Sequence, residues 1–434
     1  MGLDFIRWSD LDADERQAAL RRPAVINEAA RHDAVIGIIE QVRGGGDRAI
    51  RELTSRFDDV EINEFRVSDD ELRSAESELA ATSIAAIDLA INNVRCFHEA
   101  QLPSPISVQT MPGVHCERLS HALDSVGLYV PAGTAPLPSA AIMLAVPAAI
   151  AGCPERIMCT PPRTDGRADP AVLVAASRAG VRDIFKIGGA QAIAALAYGT
   201  ESVPKVCKIF GPGNSWVTLA KNIVSSDAGG AAIDLPAGPS EVLVIADAGA
   251  SPEFVAADLL SQAEHGSDSQ VMLLTTSVDV AAQVTAEAAR QLALLSRASI
   301  ARKALANSRI IAVADIDTAI QISNAYAPEH LILQVESARQ WLPRIRNAGS
   351  VFLGPWSPES VGDYCSGTNH VLPTHGSARS YSGLGVDQFL RQMTVQELTA
   401  DGLAGIADSV VELAELEGLD AHAAAVKIRL GAGT

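Results

Sequence analysis

The sequence predicts an α/β fold with two parallel sheets covered by helices, and with small helical segments at both ends of the chain. From residue 115 onwards, short β-rich runs alternate with alanine-rich helices, and such βα repetition is typical of parallel sheets. The repetition occurs on both sides of a connector at residues 233–240, IDLPAGPS. We therefore expect two α/β units in this chain of 434 residues.

The first 105 residues are predicted to be mainly helical and charged. A helical pattern at residues 34–39 leads into three glycines, 44–46, and resumes at residues 49–53. Because the glycines follow a helix rather than a strand, they indicate a hinge between helices and not a phosphate-binding loop. Ser68 opens a further helix, which is predicted to run with little interruption to Phe97.

The first sheet is predicted from strands at residues 126–130, 156–159, 183–187 and 206–210. Glycine-bearing turns follow three of them: PAGTAPLPS after Val130, GGAQA after Ile187 and GPGNS after Phe210. Ligands of parallel sheets bind outside the carboxyl ends of the strands, where these turns are expected. A standard dinucleotide fingerprint is absent, since Trp216 stands where the third glycine of G-x-G-x-x-G belongs.

The second sheet is predicted from strands at residues 241–246, 271–276, 310–314, 331–335 and 351–353, and the chain becomes helical again after about Gly383. One helix of this unit begins at Ser251-Pro252 and is terminated by Gly266. Gln262 and His265 are three residues apart, so they share a face in its last turn and aim an amide oxygen and an imidazole at one point. An alternative is that His265 only complements the helix dipole while Gln262 is solvated.

Composition restricts the class of protein. The net charge is −18 and the isoelectric point is about 4.9, which argues against nucleic-acid or anionic-membrane partners because these require a basic surface. The N-terminus lacks the basic start and apolar core of a signal peptide, and the most apolar run, residues 140–153, is too short to span a bilayer. The six cysteines show no CxxC spacing. We expect a soluble cytoplasmic protein with reduced thiols.

Three further segments carry candidate catalytic residues. Glu329 and His330 are adjacent, directly after a proline and before a strand, and two such groups can serve two proton-transfer tasks from one rigid loop. Asp363 lies in a glycine- and serine-rich segment, and Glu417 and His422 lie near the C-terminus. The alternatives are a surface turn for Glu329 and His330, an ordinary loop for Asp363, and an exposed helix start for Glu417 and His422.

A metal site is predicted from four residues on distant segments. Together they offer two nitrogen and two oxygen ligands: Gln262, His265, Asp363 and His422. This donor set suits zinc or another borderline divalent metal. It does not suit a structural zinc site, which usually has thiolate ligands.

The chain resembles the histidinol dehydrogenase family, on blocks that together cover nearly its whole length. They are GLYVPAGTAPLPSA (127–140), KIGGAQAIAALAYGT (186–200), IFGPGN (209–214), IDLPAGPSEVLVIAD (233–247), DLLSQAEHGSDSQ (258–270), NAYAPEHL (324–331), VGDYCSGTNHVLPT (361–374) and EGLDAH (417–422). The resemblance implies oxidation of L-histidinol to L-histidine through the aldehyde, with two NAD in succession. It also implies one zinc ion per subunit and a homodimer.

The resemblance implies roles for individual residues. Glu329 and His330 match the catalytic pair, and the NAD contacts match Tyr129, Gln191 and Asn214. The zinc ligands match Gln262, His265, Asp363 and His422. The positions that hold histidinol match Ser240, Gln262, His265, His330, Asp363, Glu417 and His422. In this interpretation His330 accepts the hydroxyl proton and Glu329 activates the water that attacks the aldehyde.

The expected domain organisation follows from the same resemblance. It comprises a helical segment at residues 1–25, an α/β domain from residues 26–125 plus 236–383, an NAD-binding α/β domain at residues 126–235, and a helical tail at residues 384–434 that is exchanged in the dimer. Both α/β domains are expected to be incomplete Rossmann-like folds.

Two alternative functions and one alternative mechanism remain open. A zinc hydrolase would use the same ligands with Glu329 as base, but would leave the glycine-bearing turns without a ligand. A non-catalytic small-molecule binder would not need the adjacent Glu329 and His330. A thioester route through Cys116 or Cys153 is a rival mechanism, although both cysteines lie outside the predicted site loops.

Overall fold

The computed structural model describes residues 3–23, 28–132, 135–235 and 238–431. Part of the predicted PAGTAPLPS turn, residues 133–134, and part of the predicted connector, residues 236–237, lie outside the described residues. So do residues 1–2 and 24–27 near the N-terminus and residues 432–434 of the predicted tail.

Strands and helices alternate along most of the chain. The strands are β1 (Leu3–Arg7), β2 (Ile106–Met111), β3 (Val114–Ala122), β4 (Ser125–Tyr129), β5 (Glu155–Thr160), β6 (Asp183–Lys186), β7 (Lys208–Phe210), β8 (Ala232–Ile233), β9 (Glu241–Ala246), β10 (Gln270–Thr275), β11 (Ser308–Ala312), β12 (His330–Gln334), β13 (Ser350–Leu353) and β14 (Leu390–Leu398). The helices are α1 (Ala13–Ala19), α2 (Glu28–Asp58), α3 (Asp69–Glu78), α4 (Ala81–Glu99), α5 (Pro138–Ala151), α6 (Pro170–Arg178), α7 (Gly189–Tyr198), α8 (Ser215–Ser226), α9 (Pro252–Ala263), α10 (Val278–Leu292), α11 (Ala298–Leu305), α12 (Ile316–Tyr326), α13 (Glu359–Tyr364), α14 (Ala400–Leu416) and α15 (Asp420–Arg429).

A six-stranded parallel sheet forms one half of the molecule, in the order β1-β11-β10-β9-β12-β13. Its central strand β9 is buried along its whole length. Val242 and Val244 pack into one hydrophobic core with α9, α10 and α11, whereas Leu243 and Ile245 pack into a second core with α12. A strand covered on both faces requires a continuous apolar run, which is why the sequence reveals it so clearly.

A five-stranded parallel sheet, β6-β5-β4-β7-β8, forms the other half. Helices α5 and α6 cover one face and α7 and α8 the other. Helix α2 packs on α7 and α8, α3 packs on α6, and α4 packs on α5. These contacts attach the helices of residues 28–99 to the five-stranded sheet. The expected grouping of residues 26–125 with residues 236–383 in one domain stays a prediction.

The predicted α/β fold with two parallel sheets is confirmed, and every predicted strand overlaps an observed one. The predicted break at the triple glycine is also confirmed, because Gly46 interrupts α2 with a φ of 52°. A side chain at Gly46 would collide with the Glu201 carboxylate, which accepts the Asp47 backbone N–H at 2.8 Å. None of the described helices combines the length and hydrophobicity needed to cross a membrane.

Two helical predictions were wrong in part. Residues 3–7 form β1 rather than a helix, and the predicted helical tail begins with β14 before α14 and α15. Strand β14 pairs antiparallel with β3, which pairs in turn with β2, so a separate three-stranded sheet links the tail to residues 106–122. Strand β2 is exposed throughout, and an exposed strand lacks the buried apolar run that marks the parallel strands.

Candidate active site

A cavity of about 940 Å³ lies between the two parallel sheets, near the upper end of the range of roughly 300–1,000 Å³ found for small-molecule sites. The five-stranded sheet contributes the turns at the carboxyl ends of β4, β6 and β7, where the sequence predicts ligand binding. The six-stranded sheet contributes its amino ends, because Ser240 precedes β9 and His330 begins β12. The cavity therefore joins opposite ends of the two sheets.

Glu329 and His330 are held by the beginning of β9. Helix α12 ends at Ala327, whose φ of 55° is left-handed, and Pro328 then leads the chain directly into β12. The backbone N–H of Glu241 donates to Glu329 Oε2 at 2.8 Å, and the Glu241 carbonyl lies 3.0 Å from His330 Nδ1. Nδ1 is therefore the nitrogen that carries the proton, which leaves the lone pair on Nε2.

Burial controls the protonation of this pair. It raises the pKa of Glu329 well above the usual value, and the negative charges of Glu241 and Asp363 act in the same direction. Burial lowers the pKa of His330, although the negative charge of Asp363 opposes that shift. His330 is therefore neutral at pH 7 and can accept a proton at Nε2.

The predicted metal-binding residues of α9 and α13 converge beside His330. The ligand atoms of His265 and Asp363, together with one of Glu359, lie within 4.8 Å of one another. The Gln262 amide lies 3.5 Å from His330 Nδ1, and His330 Nε2 lies 3.8 Å from Asp363 Oδ1. His265 lies in the turn after α9 rather than in its last turn, yet it reaches the cluster.

The charges at this cluster favour a cation. Asp258, Glu329, Glu359 and Asp363 are all buried. Among the described residues, Glu329 and Asp363 form ion pairs with histidines, and none of the four carboxylates pairs with a lysine or arginine. Gathering buried carboxylates without a fixed cation is costly. An imidazole, an amide oxygen and a carboxylate form a donor set that fits zinc.

The remaining predicted ligands do not reach the cavity within one chain. Glu417 lies at the end of α14 and His422 in α15, both are exposed, and neither lines the cavity. Ser240 does line it, with its Oγ at 3.5 Å from His265 Nδ1. The structure thus brings together all predicted metal and substrate residues except the two from the C-terminal helices.

The three residues matched to NAD contacts line the same cavity: Tyr129, Gln191 and Asn214. The Tyr129 hydroxyl accepts the Gly189 backbone N–H at 3.0 Å. Asn214 caps α8 by accepting the backbone N–H groups of its first turn. Gly211, with a φ of 120°, permits the approach of these turns, because a side chain there would collide with the Tyr129 carbonyl.

Sequence reasoning missed two residues of the site. His370 lies in the cavity wall with Nδ1 at 3.0 Å from the Asp363 carbonyl. Glu359 is the first residue of α13, four before Asp363, so both lie on one helix face. That i,i+4 spacing is a signal visible in the sequence. The rival cysteines Cys116 and Cys153 are not among the residues that line the cavity.

Known proteins resemble this chain over nearly its entire length. The family model of histidinol dehydrogenase matches residues 21–430. A histidinol dehydrogenase from Xanthomonas euvesicatoria is 55% identical, covering 99% of both chains, and one from Vibrio parahaemolyticus is 54% identical, covering 98% of this chain and 97% of the relative. The crystal structure of histidinol dehydrogenase from Elizabethkingia anophelis superimposes with a TM-score of 0.95 at 44% identity, covering 99% of this chain and 98% of that one. With its fold and its buried Glu-His pair, the chain belongs to the histidinol dehydrogenase family.

Proposed function

We propose that this chain is a zinc- and NAD-dependent enzyme that oxidises L-histidinol to L-histidine by way of L-histidinaldehyde. The observation that carries the proposal is the buried Glu329–His330 pair, which lies beside a cluster of nitrogen and oxygen ligands in a cavity that also contains the glycine-bearing turns. The reaction forms the last steps of histidine biosynthesis, and we assign it to the cytoplasm.

His330 acts as the base in both oxidations. Its Nε2 atom faces the ligand cluster, while Nδ1 is held by the Glu241 carbonyl. When the carbinol carbon of the substrate loses its hydride, Nε2 accepts the hydroxyl proton. NAD supplies the hydride acceptor when it is bound. The neutral state favoured by burial keeps Nε2 available for this step.

Glu329 serves the step that requires water. The aldehyde has to add water before a second hydride can leave, and a carboxylate in contact with that water can remove its proton. Glu329 Oε2 lies 3.6 Å from His330 Nδ1, and both residues line the cavity. Because burial raises the pKa of this carboxyl, its ionised form is a stronger base than an exposed glutamate but is populated only at a higher pH.

The ligand cluster orients the substrate. Gln262, His265 and Asp363 would hold zinc, with the partner subunit's His422 as a fourth ligand. Bound zinc would supply a fixed Lewis-acid centre for the imidazole and amine of histidinol. Ser240 and the partner subunit's Glu417 complete the substrate contacts. A homodimer is therefore part of the proposal.

The opposite wall of the cavity favours a polar cofactor. Among the described residues there, Asp58 Oδ2 and Gln191 Nε2 are buried without hydrogen-bond partners. Burial raises the pKa of Asp58 to about 6. An unpaired acceptor and an unpaired donor are costly in the free protein, and the hydroxyl groups of a ribose can satisfy both. This supports NAD on the five-stranded side.

Chelation is expected to abolish turnover without unfolding the protein. The hydrophobic cores of both sheets form without any contribution from the ligand cluster, and no thiolate belongs to that cluster. Thermal unfolding of the chelated protein should remain cooperative, and added zinc should restore activity. Loss of the cooperative transition after chelation would show that the metal is needed for folding.

An assay of NADH formation with histidinol separates this proposal from the alternatives. The proposed enzyme produces NADH only when histidinol and NAD are both present. A zinc hydrolase or a non-catalytic binder produces none. The matched control is Glu329→Gln and His330→Asn in one chain, which should bind NAD but form no NADH.

A further inference from the structure

Glu359 makes an unusual set of contacts for a buried carboxylate. It is 1% exposed and begins α13, facing the end of α9. The Ser261 hydroxyl donates to Glu359 Oε2 at 2.7 Å. The adjacent Gln262 amide contacts the same carboxylate, and with its nitrogen turned toward Glu359 it would donate to Oε1 at 2.7 Å and to Oε2 at 3.3 Å. Two consecutive residues of α9 thus bind one carboxylate.

These contacts determine which way the Gln262 amide points. An ionised carboxylate only accepts hydrogen bonds, so with Glu359 ionised the amide oxygen cannot face it without leaving two acceptors in contact. With the nitrogen directed at Glu359, the oxygen takes the position 3.5 Å from His330 Nδ1, and both Gln262 and His330 line the cavity. A buried amide in the reverse orientation would lose its strongest partner.

Glu359 itself is poorly placed to act as a ligand. It lies near His265 and Asp363, but both of its oxygens already accept hydrogen bonds from α9. It is also absent from the cavity lining, whereas Gln262, His265 and Asp363 are all present there. Glu359 therefore lies behind Gln262 as seen from the cavity.

We propose that Glu359 is a positioning residue that fixes the Gln262 amide with its oxygen toward the metal. The inference rests on the proposed metal site, because it assumes that Gln262 is a ligand. Groups that orient metal ligands typically change metal affinity by about 10–100-fold when they are removed. Ser261 supports the same arrangement by holding the second carboxylate oxygen.

The test measures metal binding directly, without substrate or turnover. Zinc affinity is determined by competition with a chromophoric chelator, and the cobalt(II) form is examined by its visible absorption spectrum. Glu359→Leu should weaken zinc binding by about 10–100-fold and alter the cobalt spectrum. Glu359→Gln keeps the shape and one acceptor oxygen, so it should lie between Glu359→Leu and the unmodified protein.

Asp258→Asn is the matched control for charge. Asp258 is also a buried carboxylate, on α9 one turn before Gln262, but its hydrogen bond is made with Gln334. Zinc affinity should change by less than about twofold in this variant if positioning rather than charge is decisive. An equal loss in Asp258→Asn and Glu359→Gln would overturn the inference.

A double substitution isolates the contact between the two side chains. If Glu359 acts through Gln262, Glu359→Leu should weaken zinc binding little further in a Gln262→Ala background. Additive losses would contradict the inference. Failure of the unmodified protein to bind zinc would instead refute the proposed metal site, so the two failures are distinguishable.

Discussion

Replacing His330 by asparagine is expected to slow histidinol oxidation by about 10²–10⁴-fold, the usual contribution of a general base. Asparagine can still donate a hydrogen bond toward the Glu241 carbonyl, which now lies 3.0 Å from His330 Nδ1, but it offers no basic nitrogen in place of Nε2. Both oxidations should slow, because each requires removal of a hydroxyl proton. The rates are measured separately with histidinol and with histidinaldehyde as the starting substrate.

Glu329→Gln provides the comparison within the same loop. The amide keeps the size of the side chain but cannot remove a proton from water, so aldehyde oxidation should suffer much more than alcohol oxidation. Zinc binding and thermal unfolding of both variants serve as controls for damage to the site. Equal slowing of the two oxidations by Glu329→Gln would contradict the division of labour between the two residues.

A mixed dimer of two inactive chains is expected to recover activity. Glu417 and His422 lie on C-terminal helices that carry exposed apolar side chains, including Leu413 at 61% and Leu416 at 75% exposure. Such a surface favours contact with a second copy, and a twofold dimer would complete two equivalent sites at once. In the proposed homodimer, His422→Ala alone should therefore inactivate both sites by removing the proposed metal ligand from each.

The experiment combines a His330→Asn chain and a His422→Ala chain that carry different tags. If His422 acts in trans, the purified mixed dimer has one intact site, which receives His330 from one subunit and His422 from the other. Its activity should be about half that of the unmodified dimer. If His422 acts within its own chain, both sites are damaged and the mixed dimer stays as inactive as either parent.

The parallel sheets could be predicted because their strands are local apolar runs. β9, at residues 241–246, is buried on both faces and is recognisable without knowledge of its neighbours. The antiparallel sheet could not be found in the same way. β14 contains alternating polar residues and pairs with β3 from a distant part of the chain, so only tertiary structure reveals it.

The site residues were predictable to the extent that they occupy distinctive loops. Glu329 and His330 stand next to a proline at the start of a strand, and in the structure the Glu241 backbone contacts both side chains, which no local pattern shows. Glu359 looks like an ordinary acidic residue at a helix start. Its importance depends on the approach of α9, which is a tertiary contact.

The proposed reaction is a four-electron oxidation at one site, and the amount of NADH formed per histidinol consumed measures it. Zinc-loaded protein is incubated with a limiting amount of histidinol and excess NAD, and NADH and the products are quantified at completion. We expect two NADH for each histidinol, with histidine as the final product. One NADH for each histidinol, with histidinaldehyde accumulating, would contradict it.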